Sequence, residues 1–436
     1  MTERTALKLI PLLLLTTFGG SAGASGFQLT ADQNMSGLGN AQAGSAAVAE
    51  NASTIFFNPA GMTQLQAREF SGGIQAIMPS MKFSNGASNA TGLSGNGGNG
   101  GSAAFVPNAY LSWAVTRDLY LGVGLGAPFG LKSEYRHLWT GAAQSEHFGI
   151  KTLNINPSIA YRVTDQLSLG FGVDWQKFEA DYRKVAGVNL VPGVVNFAGV
   201  TSVLEARDTS WSWNAGALFK LSPATKIGVS YRAAVKYKLK GNNTLTSDGT
   251  AEGNTALGLL NASVPSYVDA SANLKLPEVW IFSVAHKLNG RWEVLTDLSR
   301  TGWSSIQRID IIQSSGVPLT SINSAFRDTW RMAFGTNYQL NDAYKLKFGM
   351  AYDQTPVKGA DTRMVSLPDN NRISLSAGVQ WKSSETTSLD VGVAYVYFKK
   401  SPIHNDQTGG GISAGLVDGT FNNHAWLLGS QYSITF

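Results

Sequence analysis

Apolar and polar residues alternate along most of the chain with a period of two. In the stretch SLGFGVDWQKF, the apolar residues Leu169, Phe171, Val173 and Trp175 alternate with glycine, aspartate and glutamine. The same alternation occurs in YLGVGLG, KLKFGMAYD, RISLSAGVQW and SLDVGVAYVYF. Successive side chains of a β-strand point to opposite faces, so each stretch predicts a strand with one apolar and one polar face.

The stretch KIGVSYRAAVKYKLK, residues 226–240, contains the longest such alternation. Every second residue from Ile227 to Leu239 is apolar, Tyr237 among them, and the intervening positions are mostly polar or glycine. The pattern predicts one uninterrupted strand whose apolar side chains all lie on the same face.

The length of these strands and their aromatic residues favour a membrane-spanning barrel over a soluble β-sandwich, which would alternate in the same way. A tilted strand needs about ten residues to cross a bilayer, and the stretches have about that length. Tryptophan and tyrosine recur at their ends, as the interfacial girdles of a barrel require: Trp113, Tyr161, Trp175, Tyr237, Trp280, Trp381 and Tyr397. The second face is rich in glycine and charge, which a dry sandwich core would exclude. We therefore predict an all-β fold, a transmembrane antiparallel β-barrel of about 14 strands in a bacterial outer membrane.

The predicted turns alternate between short and long. Short polar links at residues 164–166, 222–224 and 289–290 suit periplasmic hairpins. We expect extracellular loops at residues 83–104, 185–208, 241–272, 310–326 and 400–422. The first of these is a low-complexity Gly/Asn/Ser segment that we expect to be a mobile spacer. The last strand, WLLGSQYSITF, ends in Phe436 and resembles the terminal assembly signal of outer-membrane barrels.

The composition agrees with a barrel and excludes several classes of protein. Of 436 residues, 48 are glycine and 14% are charged, against roughly 25% in soluble domains. The chain has no cysteine, which excludes disulfides, thiolate metal sites and cysteine nucleophiles. The formal charge of +5 forms no basic block, so we expect no nucleic-acid partner.

Residues 1–24 have the layout of a secretory signal peptide. Arg4 and Lys8 accompany an apolar stretch, residues 9–18, and residues 22–24 provide a small-residue cleavage site. The alternative is an N-terminal membrane anchor, for which the apolar stretch is short.

Motifs associated with catalysis lack the context that their chemistry requires. Two G-x-S-x-G matches surround Ser21, in the predicted signal peptide, and Ser413, in a glycine-rich loop. Residues 95–100, GNGGNG, fit G-x-G-x-x-G but open no predicted helix. The five histidines have no metal-ligand spacing. We therefore expect a protein that is not an enzyme and uses no cofactor or metal.

The segment after the predicted signal peptide carries a family pattern. Residues 25–62 are SGFQLTADQNMSGLGNAQAGSAAVAENASTIFFNPAGM. This segment resembles the plug of the FadL-type outer-membrane long-chain fatty-acid transporters, a family that includes TodX-like hydrocarbon channels. Further stretches similar to the family follow in the family's order: VPNAYLSW, GAPFGLKSEY, LPEVWIFSVAHKL, WEVLTDLSRTGWSSIQ, FRDTWRMAFGTNYQL, YDQTPV and SLPDNNRISLSAGVQW.

The resemblance implies a plug, residues 25–66, inside a barrel formed by residues 67–436. It also implies a passive transporter, a monomer in outer-membrane lipid. A long-chain fatty acid or similar hydrophobic molecule would be captured at the extracellular loops, bound in the lumen and released sideways through a gap in the wall. An aromatic or alkane hydrocarbon channel of the same fold is an alternative. A surface adhesin or phage receptor is an alternative of another class.

The stretch STIFFNPAGM raises a particular question about the plug. Its β-branched and aromatic residues from Thr54 to Phe57 have the composition of a strand, which would end at Asn58 and Pro59. The resemblance implies that Asn58, Pro59 and Ala60 turn the chain toward the first wall strand. A purely structural turn is the alternative.

Pro128 stands inside the third predicted strand, between Gly126 and Gly130. Its missing N–H must interrupt the ladder with a neighbouring strand, and an unpaired edge at membrane depth is costly unless it lines a cavity. We therefore expect a lateral portal at Gly126, Pro128 and Gly130. The alternative is that Pro128 only ends the strand.

The resemblance also implies the residues that contact the ligand. The basic pair for a carboxylate would be Lys184 and Arg327, and Phe27 would lie where the plug approaches the ligand. Residues 140–149 and 185–208 are where members of the family vary and where ligand selection is expected. The alternative for each basic residue is an ordinary lumen or loop charge paired with an acid.

Overall fold

A computed structural model describes residues 26–188, 195–409 and 412–436, and the predicted signal peptide lies outside them. The described chain contains twenty strands in one antiparallel sheet. Their bounds are β1 Arg68–Asn85, β2 Ala104–Ala114, β3 Leu119–Gly126, β4 Gly130–Glu134, β5 His147–Arg162, β6 Leu167–Val185, β7 Val200–Lys220, β8 Thr225–Arg232, β9 Val235–Ser247, β10 Tyr267–Leu276, β11 Val279–Lys287, β12 Trp292–Thr301, β13 Arg308–Gln313, β14 Pro318–Asn323, β15 Thr329–Gln339, β16 Tyr344–Asp353, β17 Arg372–Lys382, β18 Thr387–Phe398, β19 Ser401–Gln407 and β20 Gly415–Thr435. The helices are α1 Thr54–Phe57 and α2 Ala251–Leu260, with 3-10 turns at Thr30–Asp32, Leu38–Asn40, Pro59–Gln64, Phe197–Gly199 and Trp303–Ser305. No helix in these described ranges has the length and apolar character needed to cross a bilayer.

The sheet closes into a barrel because β1 pairs with both β2 and β20. Six wall strands are interrupted, and each consists of two consecutive strands: β3/β4, β8/β9, β10/β11, β12/β13, β14/β15 and β18/β19. The described wall therefore has fourteen strands, which confirms the predicted barrel.

The apolar faces of the wall strands point outward, as the alternation predicts. Leu169 and Phe171 of β6 are each nearly half exposed. Exposed aromatic residues form two rows. The row near the short turns contains Trp113, Tyr161, Trp292 and Trp381. The row toward the long loops contains Trp211, Trp280, Trp330, Tyr397 and Trp426. Rows of this kind are the interfacial girdles of a membrane barrel.

The predicted single strand from residue 226 to residue 240 is wrong, because it is interrupted between β8 and β9. Asn214 pairs with Arg232, and Arg207 pairs with Lys240. The segment of β8/β9 between these two pairs is one residue longer than the matching segment of β7. One extra residue exchanges the two faces of a strand. Tyr237 consequently lies buried in the lumen and donates its hydroxyl proton to Gln176 Oε1 at 2.7 Å, so it is not a girdle residue.

Much of the predicted loop sequence is strand, since β7, β9, β10 and the β13–β14 and β19–β20 hairpins extend into the predicted loops. The Gly/Asn-rich segment also packs closely, which its composition did not predict. Ser94 N–H donates to the Leu138 carbonyl at 3.1 Å, and Arg136 N–H donates to the Gly97 carbonyl at 3.0 Å. A Cβ on Gly97 would lie 2.8 Å from Trp139, so the glycine is needed for this contact. The segment is part of a packed extracellular cap.

Thr54 to Phe57 have the composition of a strand, but they form the one-turn helix α1. A 3-10 turn follows, in which Pro59 occupies the first position, where its missing N–H costs nothing. Phe56 and Phe57 are buried at 5% and 2% exposure, as the plug interpretation expects.

Candidate ligand pocket and wall opening

Residues 26–65 pack against the inner side of the wall, and glycines on the wall allow the contact. A Cβ on Gly349 would overlap the backbone of Asn40, and one on Gly170 would overlap the backbone of Ala60. The same holds, at the inner face of further strands, for Gly228, Gly335 and Gly378. The glycine-rich second face therefore serves close backbone packing as well as a wettable lumen.

Replacing Gly349 with valine should unseat the plug without breaking the strand, since valine favours strands and overpacking costs about 1–3 kcal/mol. We expect faster permeation of small sugars in a liposome-swelling assay and a lower thermal unfolding midpoint. Gly290→Val is the matched control, because a Cβ there meets nothing within 4 Å. Equal permeation by both variants would contradict the proposed role of this glycine.

Asn58, Pro59 and Ala60 hold the plug to the wall and lie away from the cavity described below. Asn58 Nδ2 donates to the carbonyls of Ala46 at 2.7 Å and Ala217 at 3.0 Å, so it joins two plug segments to β7. Its Oδ1 accepts from Ala60 N–H at 3.1 Å, which caps the 3-10 turn. These contacts favour an anchoring role for the motif.

A cavity of about 470 Å³ lies in the lumen between the plug and the extracellular cap. Its wall is mainly apolar and includes Phe178, Leu239, Leu274 and Phe326. Polar residues of the cap, including Gln144, Asp361, Asn405 and Asp406, contribute to the lining. Gln144 belongs to the predicted selection segment 140–149. A volume of this size, with a large apolar surface beside polar groups, is typical of sites for small ligands.

Lys184, near the end of β6, lines the cavity as the family resemblance implies. Its ammonium group forms no ion pair or hydrogen bond with any residue in the described ranges. A cation beside an apolar wall is unfavourable unless an anion pairs with it.

Arg327 does not join Lys184 in the cavity, which corrects the prediction of a converging basic pair. Its side chain is exposed, and Nε donates to the Thr355 carbonyl at 3.2 Å. The neighbouring Phe326 lines the cavity instead. The physical reason is the alternation of side chains along an extended segment, which turns residues 326 and 327 in opposite directions.

Phe27 separates the cavity from an interruption of the wall. Its ring lines the cavity and packs edge-on against Trp303, with ring centroids 4.9 Å apart. Phe129, which belongs to the interruption between β3 and β4, lies 6.0 Å from Phe27 and 6.4 Å from Trp303, so the three rings form one cluster. Phe27 therefore contacts both the cavity and the interruption of the wall.

The interruption at residues 127–129 is a bulge of one residue. Three residues separate Gly126 from Gly130, whereas only two separate their partners on β5, Asn154 and Lys151. Pro128 lies at the centre of the bulge. The wall ladder therefore breaks where the sequence predicted it.

Every backbone hydrogen-bonding group of the bulge has a partner, which the plug and β5 supply. The side-chain amide of Gln33 forms two hydrogen bonds with Ala127. Its Nε2 donates to the Ala127 carbonyl at 2.8 Å, and its Oε1 accepts from the Ala127 N–H at 3.0 Å. Leu29 N–H donates to the Pro128 carbonyl at 2.8 Å, and Gly130 N–H donates to the Phe27 carbonyl at 2.9 Å. Thr152 Oγ1 accepts from Phe129 N–H at 3.0 Å and donates to its carbonyl at 2.6 Å. These bonds let the ladder break at membrane depth.

A gap in the ladder lies beside the bulge. Residues 104–108 of β2 pair with β1 only, and β4 pairs with β5 only. Above the gap, Gly101 bridges to Ser133 and the Glu134 N–H donates to Gly100 at 2.9 Å. The packed Gly/Asn-rich segment therefore forms the extracellular rim of a bounded window.

Sequence reasoning missed Gln33, Thr152 and Trp303 as parts of this site. Gln33 and Trp303 stand in stretches that resemble the family, but a polar residue in a plug or an aromatic residue after a strand has no periodic signal. Trp303 is fully buried in the 3-10 turn after β12, at a second interruption of the wall.

Comparison with known proteins identifies the family. A family model described as outer membrane protein transport protein (OMPP1/FadL/TodX) matches residues 15–436. A long-chain fatty acid transport protein of Escherichia coli O6:H1 is 29% identical, over 98% of this chain and 97% of that protein. The crystal structure of a Pseudomonas aeruginosa FadL homologue matches with a TM-score of 0.85 at 24% identity, over 94% of this chain and 99% of that one. The Pseudomonas putida toluene transporter TodX matches with a TM-score of 0.63 at 17% identity, over 97% and 100%. The chain therefore belongs to the OMPP1/FadL/TodX family of outer-membrane transport proteins.

Proposed function

We propose that this barrel is a passive transporter for long-chain fatty acids or similar hydrophobic anions. The observation that carries the proposal is Lys184, a cation that has no ion-pair partner among the described residues and lines a cavity with a large apolar surface. A fatty acid matches both properties, since its alkyl chain contributes about 0.8 kcal/mol per buried methylene and its carboxylate pairs with the ammonium group. The name of the Escherichia coli relative, a long-chain fatty acid transport protein, supports this substrate class.

The transport route that we propose runs from the extracellular cap through the cavity, past Phe27, and out at the window beside Gly126, Pro128 and Gly130. The ligand would then enter the membrane sideways. In this route residues 25–66 act as the plug, residues 67–436 form the barrel, and residues 1–24 are removed on export. The protein acts as a monomer, and no catalytic step is involved.

Replacing Lys184 with methionine should weaken oleate binding, because methionine keeps much of the apolar stem and removes the charge. Hydrogen bonds to charged groups contribute about 1.5–3 kcal/mol, so we expect a roughly 10- to 100-fold rise in the Kd for oleate. The Kd for methyl oleate, which has no anion, should not rise. Both constants are measurable on purified protein in detergent.

Lys151→Met is the matched control, because Lys151 is an exposed lysine on the neighbouring strand β5. It should bind oleate as the parent does. An unchanged oleate affinity in the Lys184 variant would contradict the proposal and would favour a channel for uncharged hydrocarbons, as TodX is named.

A further inference from the structure

The exchange of faces in β9 places a group of lysines on the outer surface of the barrel. Lys236, Lys238 and Lys240 point outward and are exposed, whereas the residues between them point into the lumen. Lys275 on β10 and Arg207 on β7 are exposed on the same side. We call these five residues the outer cation patch.

Register alone brings like charges together in this patch. Lys236 and Lys275 are direct partners on neighbouring antiparallel strands, and so are Arg207 and Lys240. Like charges directly opposite each other destabilise a pair of strands. An anion that lies between the side chains turns this repulsion into attraction.

The protein supplies carboxylates beside one of these two pairs, Arg207–Lys240, but not beside the other. None of the five side chains forms an ion pair or hydrogen bond with a residue in the described part of the chain. Glu179 of β6 is the direct partner of Arg207, and the outward-facing acids Glu205 and Asp269 lie opposite Asn242, two residues beyond Lys240. Lys236 and Lys275 have no acid as a direct strand partner in the described sheet, so the counter-charge of this pair is external.

The patch begins where the aromatic row of the outer interface ends. Trp213 and Trp211 are exposed on β7, at 43% and 67%, and Arg207 follows on the same face toward the extracellular end. Aromatic residues of a barrel mark the level of the lipid headgroups. The cations therefore stand at, and just beyond, the depth at which lipid phosphates lie.

We propose that the outer cation patch binds the phosphorylated headgroup of the glycolipid in the outer leaflet of the outer membrane. Lysine and arginine are suited to phosphate oxygens through charge-assisted hydrogen bonds. The pair Lys236–Lys275 is suited to one shared phosphate. The site lies on the outside of the wall and is independent of the cavity in the lumen.

The test is lipid retention in native mass spectrometry with bisphosphorylated lipid A and with its dephosphorylated form. The test variant replaces Lys236, Lys238, Lys240 and Lys275 with glutamine. We expect it to retain bisphosphorylated lipid A roughly tenfold or more weakly than the parent, since each basic residue near an anionic headgroup adds to the attraction. The parent should prefer the phosphorylated form, and 0.5 M salt should reduce that preference by screening.

The matched control removes the same charge at the opposite rim, by replacing the exposed residues Arg117, Lys287, Arg291 and Lys382 with glutamine. It should retain lipid A as the parent does. Replacing the four patch lysines with arginine should also preserve retention and shows that the surface is folded. Equal loss in the control, equal retention of the dephosphorylated lipid, or complete displacement by inorganic phosphate would each overturn the proposal. Oleate affinity should stay at the parent value in the glutamine variant of the patch.

Discussion

Deleting Pro128 should abolish the uptake of oleate and leave its binding in the lumen intact. The bulge contains one residue more than β5, so removing one residue brings Gly126 and Gly130 into a single register. The joined strand could then pair with residues 104–108 of β2 and close the window. Uptake of labelled oleate by cells that lack their own transporter measures the first effect, and ligand binding to purified protein measures the second.

Pro128→Ala is the control that separates the extra residue from the missing N–H. It restores a donor but keeps the bulge, so the window and most of the uptake should persist. If the deletion variant takes up oleate at the parent rate, the window is not the exit. If the alanine variant also loses uptake, the proline ring and not the register keeps the wall open.

Replacing Lys347 with methionine should release the plug from the wall. Lys347 Nζ donates to Glu50 Oε2 at 2.7 Å, to Asp390 Oδ1 at 2.8 Å and to two oxygens of Ser36 at 3.0 Å, and its side chain is 1% exposed. Breaking a buried ion pair by removing one partner costs about 3–5 kcal/mol, because the other charge stays buried and unpaired. We expect higher conductance in planar bilayers and a lower unfolding midpoint.

Lys345→Met is the matched control, since Lys345 binds the other oxygen of Glu50 at 2.5 Å but keeps 24% of its side chain exposed. Its effect should be about 1 kcal/mol or less, as for partly exposed pairs. Adding Asp390→Asn to Lys347→Met should recover part of the lost stability. A Lys347 variant that conducts like the parent would show that the plug is held by its other contacts.

The strand pattern could be predicted from the sequence because it repeats in every wall strand. The interruptions could not, and Tyr237 illustrates the reason. The face exchange falls at Ala233 and Ala234, two small residues that suit either side of a wall, so the alternation continues unbroken through it. Because of the same exchange of faces, the pattern wrongly assigns the β9 lysines to the lumen, whereas they lie on the outer face.

The site was partly predictable for a related reason. Pro128 has a local signal, since a residue without an N–H cannot complete a ladder. Lys184 and Phe27 rested on the resemblance, which carries positional information that periodicity lacks. Arg327 failed because two adjacent residues of an extended segment point in opposite directions, and only the structure determines which of them faces the cavity.

In the route that we propose, a ligand that leaves through the window must first break the hydrogen bonds between residues 27–29 and the bulge. Moving Phe27 aside breaks the hydrogen bonds at Pro128 and Gly130, each of which contributes about 1 kcal/mol to stability. Each methylene that takes the place of the ring contributes about 0.8 kcal/mol, so three or four methylenes offset both bonds. The length of the alkyl chain would then determine which molecules leave, because burial of a short chain does not offset the loss of these two hydrogen bonds.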